Sequence, residues 1–341
     1  MPAPARNGRV RPSDVAADTK RNFIPAVRSK YSETYPPVSH IYRHPATALE
    51  ITRRTCNTRP PAFYVEMADP VSKTISCSMS DSQASEAQGG PLVRVPFISA
   101  ANERRPGGDW ETGCSGYEEK LCRRSNLSAI LGAPSRESGV ETFYPIPSDA
   151  CLFSENVIVY RGPHERYEKL DRLYDIPVVS VTPTRWPKLK EKGTKYSFDE
   201  ERAMIREKIR GALLVCLHRG FNRVVIGDFG LGNGHRNPPQ EVAEIWRDVF
   251  LFDPVIRGQF VYVTFAFEDP HQSTTRVILD EMVKKENKSK AKNGEPGAAL
   301  RGAANLPTDY HIFKHVFSNN EIERVVRQPD PRYGFNMLMS N

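Results

Sequence analysis

Between residues 92 and 267 the chain alternates short runs of β-branched or aromatic residues with amphipathic helical patterns. This alternation constrains the fold because strands joined through helices run parallel, and the helices cover the faces of the sheet. The predicted helices are Asp199–Arg219 and Glu241–Leu251, each with apolar residues at three- and four-residue steps. The sequence thus predicts a layered α/β fold with a mostly parallel or mixed sheet. The predicted strands are Leu92–Ala100, Val157–Tyr160, Val178–Thr182, Arg223–Ile226 and Phe260–Phe267.

Composition marks the ends of this region. Residues 1–12 are Pro, Arg and small residues, which predicts a disordered tail, and residues 13–285 are predicted to form one domain that begins with a helix from Ser13 to about Lys30. Residues 286–309 are charged and Gly/Ala-rich, which predicts a linker or loop, and residues 310–341 are predicted to form a short helical extension. The remaining predictions are a helix at His44–Thr55, a strand at Ala62–Ala68 and a polar loop at 76–91.

Length and composition exclude several classes of protein. A chain of 341 residues that is 39% hydrophobic can bury a full core, yet no apolar run approaches the roughly 20 residues of a membrane-spanning helix. The N-terminus has no apolar signal segment, so we expect a soluble intracellular protein. The six cysteines show no CxxC spacing, which disfavours zinc sites and disulfides. The net charge of +7 favours a polyanionic partner or is a plain solvated surface.

Two glycine-rich turns follow predicted strands. The first is RPGGDWETGCSGYEEKLCRRS at 105–125, and the second is GDFGLGNGHRNPP at 227–239, which leads into a helix. Ligands bind at the carboxyl ends of such strands, and glycines let backbone N–H groups converge on an anion such as a diphosphate. The alternative is that both loops merely require left-handed turns, and the spacing leaves both interpretations open. Neither turn has the spacing of a Walker loop or a Rossmann fingerprint.

An acid doublet, Glu118–Glu119, lies at the predicted start of a helix that continues to about Leu127. Adjacent helical residues point about 100° apart, so the two acids cannot face each other like the carboxylate pair of an ordinary glycosidase. One acid would do the chemistry while the other orients a sugar. Burial and the like-charged neighbour would raise the pKa of the acid toward that of a general acid. The alternative is that acids simply favour the first turn of a helix.

The run ISAANERRPGGDWETGCSGYEEKLCRRSNL resembles the signature of the microbial-type poly(ADP-ribose) glycohydrolases, which are relatives of the macrodomains. Their motif is three glycines, a short spacer and Gln-Glu-Glu. Here Gly107, Gly108 and Asp109 stand at the glycine positions, and Tyr117 with the doublet follows after seven residues. Later blocks such as VVIGDFGLGNG and VTFAFED resemble the family in order, so the resemblance covers about residues 13–285. It implies a macrodomain-like three-layer α/β/α fold with a mixed, mostly parallel sheet.

The resemblance also implies roles. Glu119 would protonate the leaving ribose oxygen or guide the attacking water, Glu118 would bind ribose hydroxyls, and Asn102 would lie near the distal ribose. The Gly107–Gly108 turn and the second loop would hold the diphosphate, and no metal or cofactor is implied. The substrate-binding residues predicted in the second loop are Gly227, Phe229, Gly230, Leu231, Gly232, Asn233, Gly234, His235 and Arg236.

Three departures from the family pattern bear on activity. Asp109 replaces a glycine and brings a negative charge toward the diphosphate. Tyr117 replaces the glutamine and either stacks on the ligand or packs as a core aromatic. The family's second loop carries a ribose-packing aromatic after its last close-spaced glycine, where this chain has Asn233, Gly234, His235 and Arg236. His235 or Arg236 could substitute by stacking or by pairing with phosphate, and the alternative is that each is a solvated loop residue.

Two function classes follow. The first is a glycohydrolase that cleaves poly(ADP-ribose), or releases ADP-ribose from modified target proteins, and retention of both glutamates favours it. The second is an ADP-ribose reader that has lost turnover, which the changes at Asp109 and Gly234 favour. Nucleic acid is not expected as the primary ligand, since no basic stretch is interleaved with aromatics. Ligand class and charge predict a nuclear or cytoplasmic protein.

Overall fold

The computed structural model describes residues 10–51, 59–134, 138–292 and 306–327. Seven of its strands form one sheet in the order β1-β4-β5-β3-β8-β9-β2, and the other two, β6 and β7, form a short ribbon. The strands are β1 Ser39–Arg43, β2 Ala62–Met67, β3 Phe97–Ala100, β4 Ala150–Arg161, β5 Lys169–Val181, β6 Leu189–Lys190, β7 Lys195–Tyr196, β8 Arg223–Ile226 and β9 Tyr262–Phe267.

Strand direction follows the connections. The two pairs at one edge, β1 with β4 and β4 with β5, are antiparallel. The other four neighbouring pairs are parallel, as strands joined through crossovers must be. In the centre, Phe97 of β3 lies opposite Val178 of β5 on one side and Val225 of β8 on the other. The predicted mixed, mostly parallel sheet is confirmed.

Helices cover both faces of the sheet. A π-helical turn, Thr19–Phe23, joins the first two, and a short 3₁₀ turn, Glu191–Gly193, lies between β6 and β7. The helices are α1 Pro12–Asp18, α2 Ile24–Tyr31, α3 Pro45–Ala48, α4 Pro70–Glu86, α5 Tyr117–Arg124, α6 Leu127–Gly132, α7 Asp199–His218, α8 Gly232–His235, α9 Pro239–Phe252, α10 Thr274–Lys292, α11 Asp309–Val316 and α12 Asn319–Arg327.

Two hydrophobic cores separate the three layers. Because side chains alternate across a strand, Val224 and Ile226 enter one core and Val225 enters the other. The first core contains apolar residues of α7, α9, α11 and α12, and the second contains those of α1, α4, α5 and α6. The chain therefore has the α/β/α layering that the resemblance implied.

The predicted polar loop at 76–91 is wrong, because most of it belongs to α4. Asp69 caps this helix by accepting the Ser72 N–H at 2.8 Å, and Pro70 occupies its first turn. The serines that suggested a loop instead bond to the next segment: the Ser82 hydroxyl donates to the Val93 carbonyl and accepts the Val93 N–H. These hydrogen-bond partners lie outside the helix, so the polar composition of the segment alone wrongly indicated a loop.

Other boundaries also differ. The predicted helix His44–Thr55 is only the single turn α3, since Leu49 is extended and residues 52–58 lie outside the described residues. Of the predicted tail, residues 1–9 lie outside the description and Pro12 already begins α1; residues 293–305 and 328–341 lie outside it too. Among the described helices, none is both long and apolar enough to cross a membrane.

Candidate active site

The two glycine-rich turns leave the same edge of the sheet. The first follows β3 and the second follows β8, and these strands are adjacent and parallel. Glu268, which directly follows the neighbouring strand β9, contacts the helix after the first turn: its carboxylate accepts from Lys120 Nζ of α5 at 2.5 Å. Lys120 and Glu268 both lie near enough to Asp228 of the second turn to influence its pKa. The two turns thus converge, as the chemistry of a shared ligand requires.

Glu118 is buried beneath the first turn, with 2% of its surface exposed. One carboxylate oxygen accepts the Asn102 N–H at 2.5 Å, and the other accepts the Gly107 N–H at 3.3 Å. Burial raises the pKa of Glu118 to about 8, opposed by the Asn102 N–H and assisted by the charge of Glu119. Glu118 is therefore protonated at neutral pH, and it holds the end of β3 and the glycine turn against α5. Its predicted contact with ribose stays a prediction.

Glu119 is in a different environment, although it is the next residue. Its side chain is half-buried, and its carboxylate has no hydrogen-bond or ion-pair partner among the residues that the structure describes. It lies between Gly108 and Gly116: a Cβ on Gly108 would overlap one carboxylate oxygen, and a Cβ on Gly116 would overlap the other. A side chain at either position would therefore displace this carboxylate, which remains free to bind a ligand.

The first turn has left-handed backbone at two successive residues. Gly107 has φ +73° and Gly108 has φ +56°. A Cβ on Gly107 would lie 2.7 Å from the Cys122 sulfur and 2.9 Å from Trp110 Cδ1. The Asn102 side chain braces the strand's exit, because its Oδ1 accepts the Arg104 N–H at 2.9 Å and the Arg105 N–H at 3.2 Å. Backbone conformation and packing therefore both select these glycines.

The arginines around this turn are structural. Arg123 is buried, and its guanidinium donates to the carbonyls of Trp110, at 2.8 Å, and Cys114. Arg124 donates to both oxygens of Asp69, at 2.7 and 2.9 Å. Asp109, the residue that replaces a family glycine, pairs with Arg105, so its negative charge is partly compensated.

Tyr117 lies between the two turns and the end of β9. Burial and the charges of Asp228 and Glu268 raise the pKa of its hydroxyl well above the usual value, and the Glu268 backbone hydrogen-bonds to it. The Lys120 ammonium lies 5.2 Å from the centre of its ring. The tyrosine thus packs at the junction, half-buried, where the family has a glutamine.

The second turn packs into the first core through two of its side chains. Phe229 and Leu231 are buried in the first core, and the Phe229 ring packs edge-on against Trp246 with centroids 5.7 Å apart. Gly230 and Gly232 have φ of +76° and +70°. Gly227 has no positive φ, and a Cβ there would make ordinary contacts with the Phe97 ring at 3.5 Å and with Pro70 at 3.8 Å.

The tip of the second turn differs from the expectations for it. Burial and the charge of Arg185 lower the pKa of His235 to about 4, so a neutral imidazole cannot supply a positive charge to phosphate. The Arg236 guanidinium is held by the Asn233 side chain, at 2.6 and 3.0 Å, and pairs with Glu281 at 3.2 Å. Gly234 is exposed, and a Cβ there would meet nothing within 4 Å. A side chain at Gly234, such as the aromatic that the resemblance implies for this segment, would therefore meet no neighbouring atom at its Cβ.

Residues 30–162 match the family model of the microbial-type PARG catalytic domain, where PARG stands for poly(ADP-ribose) glycohydrolase. This segment contains the first turn and the acid doublet. The chain is similar to that domain. The resemblance predicted from the motifs is confirmed, while no curated protein sequence matches the chain.

Solved structures show the same fold. Poly(ADP-ribose) glycohydrolase from Thermomonospora curvata is 20% identical with a TM-score of 0.55, covering 79% of this chain and 98% of that one. A mutant PARG from Deinococcus radiodurans in complex with ADP-ribose is 19% identical with a TM-score of 0.51, covering 78% and 98%. The Thermomonospora enzyme bound to the inhibitor ADP-HPD is 18% identical with a TM-score of 0.50, covering 80% and 98%.

A group of three potential metal ligands lies beside this PARG-like site. The ligand atoms of His164, Glu165 and Glu268 are within 4.8 Å of one another. Glu268 already accepts from Lys120 and is bonded to His164 Nδ1, each at 2.5 Å, and these contacts lower its pKa although burial opposes them. The arrangement is satisfied as an ion-pair network, so it gives no independent support for a metal.

Clefts open on both sides of the first turn. One, of about 770 Å³, lies beside the start of α5 and is lined by Ser115, Lys120, His164 and Glu268 among others. The other, of about 660 Å³, is lined by Gly108, Asp109, Trp110 and Lys20 among others. The turn and the first residues of α5 thus face open space from two directions.

Motif comparison did not identify several residues of this PARG-like site. Asp228 lies inside the second turn, and burial raises its pKa to about 8. Gln272 Nε2 donates to Asp228 at 2.7 Å and to Asp309 at 3.0 Å. The sequence signal was Asp228 itself, an acid inside an expected diphosphate loop; the residue that donates to its carboxyl group, Gln272, is 44 residues away.

Proposed function

We propose that this protein is an ADP-ribose glycohydrolase that cleaves the ribose–ribose O-glycosidic bond of poly(ADP-ribose) or releases ADP-ribose from modified targets. The observation that carries the proposal is the Glu119 carboxylate, which has no partner among the described residues and is enclosed by Gly108 and Gly116 in the segment that matches the PARG catalytic domain. The solved relatives named as complexes with ADP-ribose or ADP-HPD support this ligand class.

The different environments of Glu118 and Glu119 support different roles for the two acids. In hydrolysis, water adds its oxygen to the anomeric carbon while the bond to the leaving ribose oxygen breaks and that oxygen gains a proton. Glu119 would supply this proton or orient the water. Glu118 is fully buried and protonated, so it adds no second negative charge beside the diphosphate.

The chain's own groups would bind the rest of the ligand. The two glycine turns approach each other at one sheet edge, and their positive-φ glycines would let backbone N–H groups bind a diphosphate there. The Asn102 side chain lies next to Gly108 and Glu119, since a Cβ on Gly108 would lie 3.1 Å from Asn102 Nδ2. A ribose bound against Asn102 would therefore bring its glycosidic oxygen toward Glu119.

Glu119→Gln tests this function, with wild type and Glu111→Gln as comparisons. Glu111 is on the same turn but is exposed and paired with Lys20 at 2.9 Å, so its substitution is a matched control. In a gel assay with labelled polymer, we expect Glu119→Gln to lose about 10²–10⁴-fold in the rate of ADP-ribose release. Calorimetric titration should show its affinity for ADP-ribose within a few-fold of wild type, and Glu111→Gln should behave as wild type.

Each outcome has a meaning. Full activity in Glu119→Gln would remove this residue from the mechanism. Wild type that binds ADP-ribose but releases none from polymer would be a reader instead. Activity on modified proteins, and a nuclear or cytoplasmic location, belong to the same proposal and stay predictions.

A further inference from the structure

The second glycine turn is linked, through Gln272 and Thr274, to a segment that lies beyond the region resembling the glycohydrolases. Asp309, the first residue of α11, is completely buried. Its Oδ1 accepts the Thr274 N–H at 2.8 Å, and its Oδ2 accepts from the Thr274 hydroxyl at 2.6 Å and from Gln272 Nε2 at 3.0 Å. Three donors thus converge on one buried carboxylate, and both residues that supply them also reach the second turn.

Two routes connect Asp309 to that turn. The Gly232 N–H donates to the Thr274 hydroxyl at 2.6 Å, so the hydroxyl accepts from the turn and donates to Asp309. The Gln272 amide donates to Asp228 Oδ2 at 2.7 Å, so its two N–H groups bridge the two acids. These two routes attach the turn to Asp309 at two points, Asp228 and Gly232.

The charges are consistent with this arrangement. Burial raises the pKa of both acids, but Asp309 accepts three hydrogen bonds and Asp228 accepts one from Gln272. The pKa of Asp228 is raised to about 8, so this acid keeps its proton at neutral pH, whereas the hydrogen bonds from Thr274 and Gln272 oppose the rise in the pKa of Asp309. The other charged groups facing Asp228 are Lys120 of α5 and Glu268 after β9, with the Tyr117 hydroxyl beside them.

We propose that Asp309 is a positioning residue that holds the second glycine turn, through Thr274 and Gln272, in the shape that binds the diphosphate of ADP-ribose. The C-terminal helices are then part of the ligand site rather than an appendage to the fold. This inference rests on the proposed function, because it assigns the turn the same ligand.

Removing the C-terminal helices would not test this, because α11 packs in the first core. Phe313 stacks edge-on with Phe265 and Phe267, with centroids 5.2 and 5.1 Å apart, so truncation would unfold the protein. Thr274→Val is sharper, since it removes one hydroxyl and keeps the shape. Thr308→Val is its matched control: Thr308 caps α11 by accepting the His311 N–H, yet it has no bond to the second turn.

The experiment is calorimetric titration of the full chain with ADP-ribose, together with thermal unfolding of each variant. We expect Thr274→Val, which breaks one route, and Asp309→Asn, which disturbs both, each to raise the Kd for ADP-ribose about tenfold. The double variant should be little worse than Asp309→Asn alone, since Thr274 acts on the turn within a route that Asp309→Asn already disturbs. Thr308→Val should lose some stability but bind ADP-ribose as wild type does.

Binding by Thr274→Val equal to wild type would overturn the inference, and Thr274→Val does not depend on whether Asp309→Asn folds. Equal weakening in Thr274→Val and Thr308→Val would also overturn it, because the effect would then follow general stability. If wild type itself fails to bind ADP-ribose, the proposed function fails first, which is distinguishable from a normal wild type with unaffected variants.

Discussion

The two glycine turns look alike in the sequence but are held in different ways. In the first, atoms of α5 lie where a Cβ on Gly107 or Gly108 would stand, and Arg123 ties down the carbonyls of the turn. In the second, Gly234 faces open space, and Gln272 and Thr274 hold the turn from outside. The first turn is therefore determined by its own helix, and the second by residues further along the chain.

Each turn also buries one acid whose pKa burial raises to about 8, Glu118 in the first and Asp228 in the second. Glu118 accepts two backbone N–H groups, whereas Asp228 accepts from a single side-chain amide. The first turn is held to the acid doublet by backbone N–H groups, which are present whatever side chains the turn carries. The second turn is held at Asp228 by the Gln272 side chain, so a substitution at Gln272 can alter that contact.

The largest effect expected from this difference is on activity. Gly108→Ala places a methyl group where a Glu119 oxygen lies and imposes an unfavourable φ, so the carboxylate must move. We expect the rate of ADP-ribose release to fall about 10²-fold, as displaced catalytic groups show. Gly234→Ala, in the second turn, should keep wild-type activity in the same gel assay. Equal activities in the two variants would contradict the contrast.

A smaller effect is expected on stability. Gly107→Ala meets the Cys122 sulfur and Trp110 at a left-handed position, which costs about 1–3 kcal/mol in the free energy of unfolding. Gly113→Ala, in the same turn, meets nothing within 4 Å and should change it by less than about 0.5 kcal/mol. Urea denaturation measures both. A Gly107→Ala protein as stable as Gly113→Ala would show that α5 does not confine the turn.

The pH dependence of stability compares the two buried acids. The folded state keeps the Asp228 proton up to about pH 8, whereas an ordinary aspartate loses it near its usual value of 3.8. Between these values the folded state binds more protons, so stability falls as pH rises. We expect Asp228→Asn to flatten this slope in urea denaturation series from about pH 5 to about pH 8. Glu118 keeps its own contribution in that variant, and a slope identical to wild type would place the proton elsewhere.

The smallest effect is a gain. Gly234→Phe supplies an aromatic ring in the segment of the second turn where the resemblance implies one; a Cβ at Gly234 meets no atom within 4 Å, and Gly234 has no positive φ. We expect the Kd for ADP-ribose to fall a few-fold, since one added aromatic contact contributes about 0.5–1.5 kcal/mol. Titration of Gly234→Phe against Gly234→Ala measures the ring alone. An unchanged Kd would mean that the ligand does not reach this tip.

Local patterns predicted the elements whose residues are apolar and regularly spaced. The bounds predicted for β8 are the observed ones, and those of α7 and α9 are within two residues. The predicted strand Val157–Tyr160 is too short because Ser154, Glu155 and Asn156 interrupt the apolar run within β4. Ser154 is nevertheless buried and bonds to the Ser39 hydroxyl at 2.7 Å, a partner 115 residues away.

The sequence by itself determined the α/β layering, the two glycine turns and the acid doublet, because alternation, left-handed glycines and a motif are local properties. Only the tertiary structure decided which glutamate is free and which is buried, since that depends on the Asn102 and Gly107 N–H groups meeting Glu118. It also brought Asp309 to the second turn, 37 residues from Gln272 in the chain. Hydrogen-bond partners that are far apart in sequence leave no periodic signal, so only folding reveals them.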